Sequence, residues 1–249
     1  MKKGAVLILL LLICSNFIIA QSIPSVSINI KDSGTNKGGL ASTIKIALLF
    51  TFLALTPAIL MLMTAFTRII ISFHFLRQAM GTQGVPPNQV LIGLALFLTI
   101  FVMSPVAIQI NKVGVEPYNK GEITEMEALK RASIPVKKFM LRQTREKDLA
   151  LFYRLSKKKF PNKKEDVSMI TLIPSFVLSE LKTAFQIGFL LYIPFLIIDV
   201  IVASILVSLG MIFLPPIMVS LPFKIVLFIL ADGWFLLTGS LLKSFGMGG

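Results

Sequence analysis

Long apolar runs separated by short polar interruptions dominate the chain. Residues 42–63, 88–110, 174–216 and 221–242 each read as nearly continuous hydrophobic sequence. Runs near the roughly 20 residues that cross a bilayer predict helices of membrane length. The first has a kink at Pro57, and the second carries Pro105 near its end. Between them, TAFTRIIISFHFLRQAM (64–80) keeps the apolar pattern but carries Arg68, His74 and Arg77. It either extends the preceding helix or lies in the membrane interface. Gly81, Gly84 and the pair Pro86-Pro87 then impose a turn.

Residues 174–216 hold only three charges, Glu180, Lys182 and Asp199, and end in Gly-Met-Ile-Phe-Leu-Pro-Pro. Two passes folded back at Pro194, or one long bent helix, account for the length. The pattern predicts an all-α membrane protein with about four hydrophobic helical segments forming hairpins and a small polar helical insert. Its expected parts are a signal peptide (1–20), an extracytoplasmic lead-in (21–40), a first helical hairpin (41–110), a basic insert (111–167) and a second hairpin (168–245).

The ends and the insert have their own signatures. Lys2 and Lys3, an apolar stretch from Ala5 to Ile13, and Ala20 before polar Gln21 have the order of a cleaved secretory signal. An uncleaved anchor is the alternative, and Ile13 argues against a lipoprotein cut before Cys14. Within the insert, EITEMEALKRA and REKDLALFYRL have helical spacing, with acidic residues preceding basic ones as i,i+4 pairs require. Large apolar residues are too few there for an independent core.

Composition agrees with the pattern. The 249 residues are 55% hydrophobic and 15% charged, with a mean hydropathy of +0.84; soluble domains carry about 25% charged residues. The net charge of +13 raises nucleic acid as a partner, but the basic residues lie between apolar segments without a recognition motif. Nucleic-acid binding is not expected. One cysteine and one histidine leave no disulfide framework, metal centre or Ser-His-Asp triad. No phosphate loop or paired catalytic carboxylates stand in a suitable context. Neither an enzyme nor a cofactor is expected, and no internal repeat marks a secondary transporter.

Two topology rules conflict. A cleaved signal places the basic insert outside, whereas the positive-inside rule would hold Lys157, Lys158, Lys159, Lys163 and Lys164 in the cytoplasm. That rule weakens for loops approaching about 60 residues, so the insert is expected outside. Glu180, Lys182, Asp199, Lys224 and Asp232 lie in apolar surroundings. They form either an ion path or buried pairs that fix helix register. Both signs occur, which favours pairing, with Glu180–Lys224 as the leading pair. Arg68 and Arg77 read as charges of the short cytoplasmic loop or as inter-subunit partners. Gly210 frees the backbone and Pro215-Pro216 stiffens it around Met211, Ile212 and Phe213. Physics alone allows a plain buried turn there or a hydrophobic constriction.

Two blocks carry a family resemblance: residues 67–106 (TRIIISFHFLRQAMGTQGVPPNQVLIGLALFLTIFVMSPV) and 173–216 (IPSFVLSELKTAFQIGFLLYIPFLIIDVIVASILVSLGMIFLPP). They closely resemble the FliP family of bacterial flagellar export proteins, which has relatives in virulence type III secretion. The resemblance runs from about residue 45 to the C-terminus. It implies a ring-forming, pentameric subunit in the inner membrane, displaced toward the periplasm. The implied partners are FliQ, FliR, FlhB, FlhA, membrane lipid and the unfolded flagellar proteins in transit. The family's methionine-rich pore gasket falls on Met211, Ile212 and Phe213, of which the last two depart from the methionine pattern. Glu180, Lys182 and Lys224 match positions that fit inter-subunit contacts. A small-solute transporter that uses Glu180, Asp199 and Asp232 as coupling groups is the rival from another class.

Overall fold

A computed structural model describes residues 38–82, 84–157, 160, 161, 163 and 166–247. The expected signal peptide, most of the lead-in, and Lys158, Lys159 and Lys164 lie outside the described residues. Two compact units divide the chain, Met1–Ala54 and Leu55–Gly249. The first contributes most of helix α1 (Gly38–Leu62), where Thr51 donates to the Ala47 carbonyl at 2.9 Å.

The second unit, beginning within the last turns of α1, is helical throughout its regular structure among the described residues. Helix α2 (Phe66–Met80) comes after a short break, so 64–80 is a separate helix. Its buried positions include Ile69, Phe73, Leu76 and Met80, spaced three or four apart as one helical face requires. Helix α3 (Asn88–Ile110) continues past the expected polar boundary through a π-turn (Asn111–Val115) into α4 (Glu116–Asn119). The insert then supplies α5 (Glu125–Gln143) and α6 (Glu146–Leu155). Thr124 opens α5 by accepting from the Glu127 amide at 3.4 Å, the Thr-x-x-Glu arrangement that satisfies an orphan N–H. Phe139, Met140, Leu149 and Tyr153 of this pair join the same core as α2.

Helix α7 (Met169–Ser208) resolves the open question about the longest run: it is one helix of 40 residues with Pro174 and Pro194 inside it. Proline removes one backbone hydrogen bond and costs about 3 kcal/mol in a soluble helix interior; neighbouring helices and side chains compensate in apolar surroundings. The first half of α7 packs on α2 and the insert, with the small residues Ser175, Ser179, Ala184 and Gly188 all buried. A Cβ on Gly188 would stand 2.4 Å from the Phe75 ring, so only glycine permits this approach. The second half exposes Val200, Ile201, Ile205 and Val207.

The last expected segment, 221–242, is broken. Helices α8 (Pro216–Leu230) and α9 (Gly233–Ser244) meet at a 64° bend. Asp232 adopts the left-handed conformation there (φ 49°, ψ 51°), which aspartate tolerates better than most residues. Among the described residues, two helices are long and apolar enough to cross a membrane, or three if the bent pair is one span.

Candidate functional site

Three features gather the residues singled out by sequence. The first is a buried polar node. Arg68 on α2 donates from Nε to Glu180 Oε2 at 2.9 Å and from Nη2 to Glu180 Oε1. The same guanidinium reaches the Ser244 carbonyl and Oγ, both at 3.0 Å, and Gln143 Oε1 at 3.1 Å. All five N–H donors are thereby occupied. The Phe245 ring lies 4.0 Å from the guanidinium carbon, adding a cation–π contact. Glu180 is fully buried and Arg68 is 2% exposed, so the node clamps α2, α5, α7 and α9 together in apolar surroundings.

A polar chain extends it. Ser179 Oγ donates to Asp148 Oδ2 at 2.7 Å and accepts from the Arg145 amide at 3.0 Å, which fixes the α5–α6 corner to α7. Gln143, Arg145, Asp148, Ser179 and Ser244 carry no sequence signal of this role. Only the side chains brought opposite them reveal it.

The second feature is the pair Lys224–Asp199, at 2.7 Å. Lys224 Nζ also donates to the Ala79 carbonyl at 3.3 Å, in the last turn of α2. A cation suits a helix C-terminus, where the unpaired carbonyls are partly negative. Gly81 ends that helix with φ 73°, and its amide bonds to the Gln78 carbonyl at 3.1 Å. Ser220 donates to Asp199 Oδ1, completing the group.

These contacts correct the expected Glu180–Lys224 pair: Glu180 takes Arg68, and Lys224 takes Asp199. Sequence spacing cannot tell which of two buried cations meets a given carboxylate, because long-range packing sets that. Among the described residues Arg77 meets no carboxylate; it braces the 81–87 turn through the Pro86 carbonyl at 3.2 Å and Asn88 Oδ1 at 2.6 Å. Pro87 occupies the N-cap position of α3. Lys182 and Asp232 are exposed, and neither forms an ion pair with the described residues. His74 Nδ1 lies 2.8 Å from the Ile70 carbonyl of its own helix. Glu180 and Asp199, two of the carboxylates that a transporter reading would use, are each engaged by a cation.

Exchanging Asp199 and Lys224 tests the second pair. Either single alanine variant should lower stability, and the double D199K/K224D variant should recover part of the loss in detergent thermal melts. Full recovery is not expected, because the exchanged aspartate would face the Ala79 carbonyl. A double variant no better than the worse single one would overturn the pairing.

The third feature is the turn between α7 and α8. Gly210 ends α7 with φ 75°. Its amide bonds to the Val207 carbonyl at 3.0 Å and the Met211 amide to the Leu206 carbonyl at 2.9 Å, the paired 5→2 and 6→1 bonds of a Schellman ending. Pro215 and Pro216 start α8, where a missing N–H removes no bond. The segment between is apolar yet exposed: Met211 47%, Ile212 75% and Phe213 99%. Plain burial of this turn within the subunit does not occur.

The FliP family's sequence profile matches residues 49–241. The chain is 53% identical over 213 residues to the flagellar biosynthetic protein FliP of Bacillus subtilis strain 168, covering 86% of this chain and 96% of the relative. It is 54% identical over 210 residues to the protein of that name from Pectobacterium carotovorum, covering 84% and 81%. With the Aquifex aeolicus relative of that name it shares 44% over 238 residues, covering 95% and 97%. The chain belongs to the FliP family.

Proposed function

We propose that this FliP-family chain is a non-enzymatic subunit of the flagellar protein-export gate. Its copies form a ring, pentameric by family resemblance, and the 211–213 turn closes the passage. The observation that carries the reading is the tightly bounded turn whose apolar side chains face away from their own subunit. Exposing Phe213 almost completely is unfavourable in water by about 1.5–3 kcal/mol relative to burial, so a fixed apolar tip calls for neighbours. The exposed apolar faces of α3 and of the second half of α7 call for lipid or further subunits in the same way. FliQ, FliR, FlhB and FlhA are the proposed protein neighbours, and unfolded flagellar proteins the cargo. The proposed location is the inner membrane, after signal cleavage, with the insert outside and the subunits displaced toward the periplasm. On the same reading the proposed domain limits are hairpins at 41–110 and 168–245 around the 111–167 insert.

The mass of the detergent-solubilised complex tests the assembly. Co-expression with the neighbouring membrane proteins should give a multi-copy ring retaining the small hydrophobic partners. A monomer or dimer, with or without them, would overturn the reading.

A further inference from the structure

A recess opens between the C-terminal end of α3 and the insert helix α5, with a cavity volume of about 180 Å³. Pro105, Pro135 and Phe139 line it together with the polar side chains Gln109, Lys138 and Arg142. Lys138 and Arg142 are exposed and four residues apart, hence on one face of α5. Among the described residues neither meets a carboxylate. Arg142 has only a 3.4 Å contact to the Phe245 carbonyl. Acidic residues of α5 stand in its first turn, at Glu125 and Glu127, and Glu127 is bound to Arg131. The recess is therefore a cationic pocket with no internal anion.

Its position adds a second constraint. Gln109 is one residue from the end of α3, just before the polar residues Asn111 and Lys112 that follow the apolar run within the 88–119 span. Phe97 and Phe101, 74% and 56% exposed, precede Pro105 at four-residue intervals and form an apolar track that runs into the recess. A cationic mouth at the polar end of an apolar helical run matches a molecule with one anionic head and long hydrocarbon tails. From this juxtaposition we infer that the recess binds an anionic phospholipid. The phosphate sits at Lys138, Arg142 and Gln109, and an acyl chain lies along Pro105, Phe101 and Phe97. Clustered cations beside a membrane helix attract anionic headgroups for the same electrostatic reason. This site goes beyond the export reading and does not depend on ring formation.

The test uses the full chain in its co-expressed complex, in nonionic detergent, titrated with phosphatidylglycerol or phosphatidylcholine and read by native mass spectrometry. The unaltered protein should prefer phosphatidylglycerol. K138Q/R142Q should weaken phosphatidylglycerol binding roughly 20- to 30-fold, near the effect of two basic residues at an anionic surface, and leave phosphatidylcholine unchanged. K120Q, outside the recess, should change neither. F101S should weaken both lipids, and this arm decides the matter if the double variant fails to fold. Soluble glycerol phosphate should not displace the lipid. Equal binding of the two lipids, unchanged binding by K138Q/R142Q, no effect of F101S, or displacement by glycerol phosphate would each overturn the site.

Discussion

Truncating Glu180 to alanine should collapse the helical unit, lowering stability by about 3–5 kcal/mol, the usual effect of removing one member of a buried ion pair. The loss comes less from the missing attraction than from the cation left behind. Arg68 would keep its charge in a site that is 2% exposed and lose two of its five acceptor contacts. For a protein of this size the change corresponds to roughly 6–20 °C in melting temperature. Glu180→Gln should fall between the extremes, because the amide keeps an acceptor but no charge. Arg68→Lys should be nearly as harmful as alanine at Glu180. An ammonium cannot span Glu180, Gln143 and Ser244 at once, and the stacking on Phe245 is lost. The double variant R68M/E180L should regain much of the loss, since both buried charges are gone. Recovery should stop short of complete, because Gln143 Oε1 loses its donor. Thermal melts in detergent, with the yield of monodisperse protein, give the readout. A Glu180→Ala variant that melts within a degree or two of the parent would show that the node contributes little.

Removing the apolar character of the 211–213 turn should produce the opposite outcome: an intact protein that leaks. Ile212 and Phe213 are 75% and 99% exposed, so replacing them disturbs little packing within the subunit. In M211S/I212S/F213S the loop keeps its length, the Gly210 ending and the two prolines. Melting temperature and ring mass should stay close to those of the parent. A narrow apolar ring excludes ions because water does not fill it. If the barrier is only ~2.5 kcal/mol, the low end for a charge in an apolar membrane segment, ion passage should rise roughly 50-fold or more once polar groups wet the ring. The measurement is membrane-potential dye signal and sodium sensitivity in cells expressing the complete complex. Deleting residues 211–213 should act in the same direction. Normal assembly with an unchanged leak in both variants would remove the sealing role while leaving family membership untouched.

Helical class, family and the turns at 81–87 and 210–216 were legible in the order of residues, whereas the break at Asp232 was not. These properties are written locally: apolar runs set helix length, Gly81 and Gly210 can adopt positive φ, and Pro86-Pro87 and Pro215-Pro216 restrict the backbone beside them. Of the charges expected to be buried, Glu180 and Lys224 are so, because they stand in runs with little else that is polar; Lys182 and Asp232 are exposed, and Arg68, read as a loop charge, is buried. Their partners were settled by packing in three dimensions. Glu180 meets Arg68 across 112 residues of chain, and Lys224 meets Asp199 across 25. Such separations carry no periodic signal, since the first contact exists only after α2 packs on α7 and the second only after α8 folds back on α7. The role of Asp232 changed for a related reason. Its charge suggested a buried pair, but its backbone takes the left-handed turn that separates α8 from α9. Pro194 shows the converse: a residue that breaks helices in isolation lies within one long helix, because apolar surroundings leave the freed backbone no better hydrogen-bonding alternative.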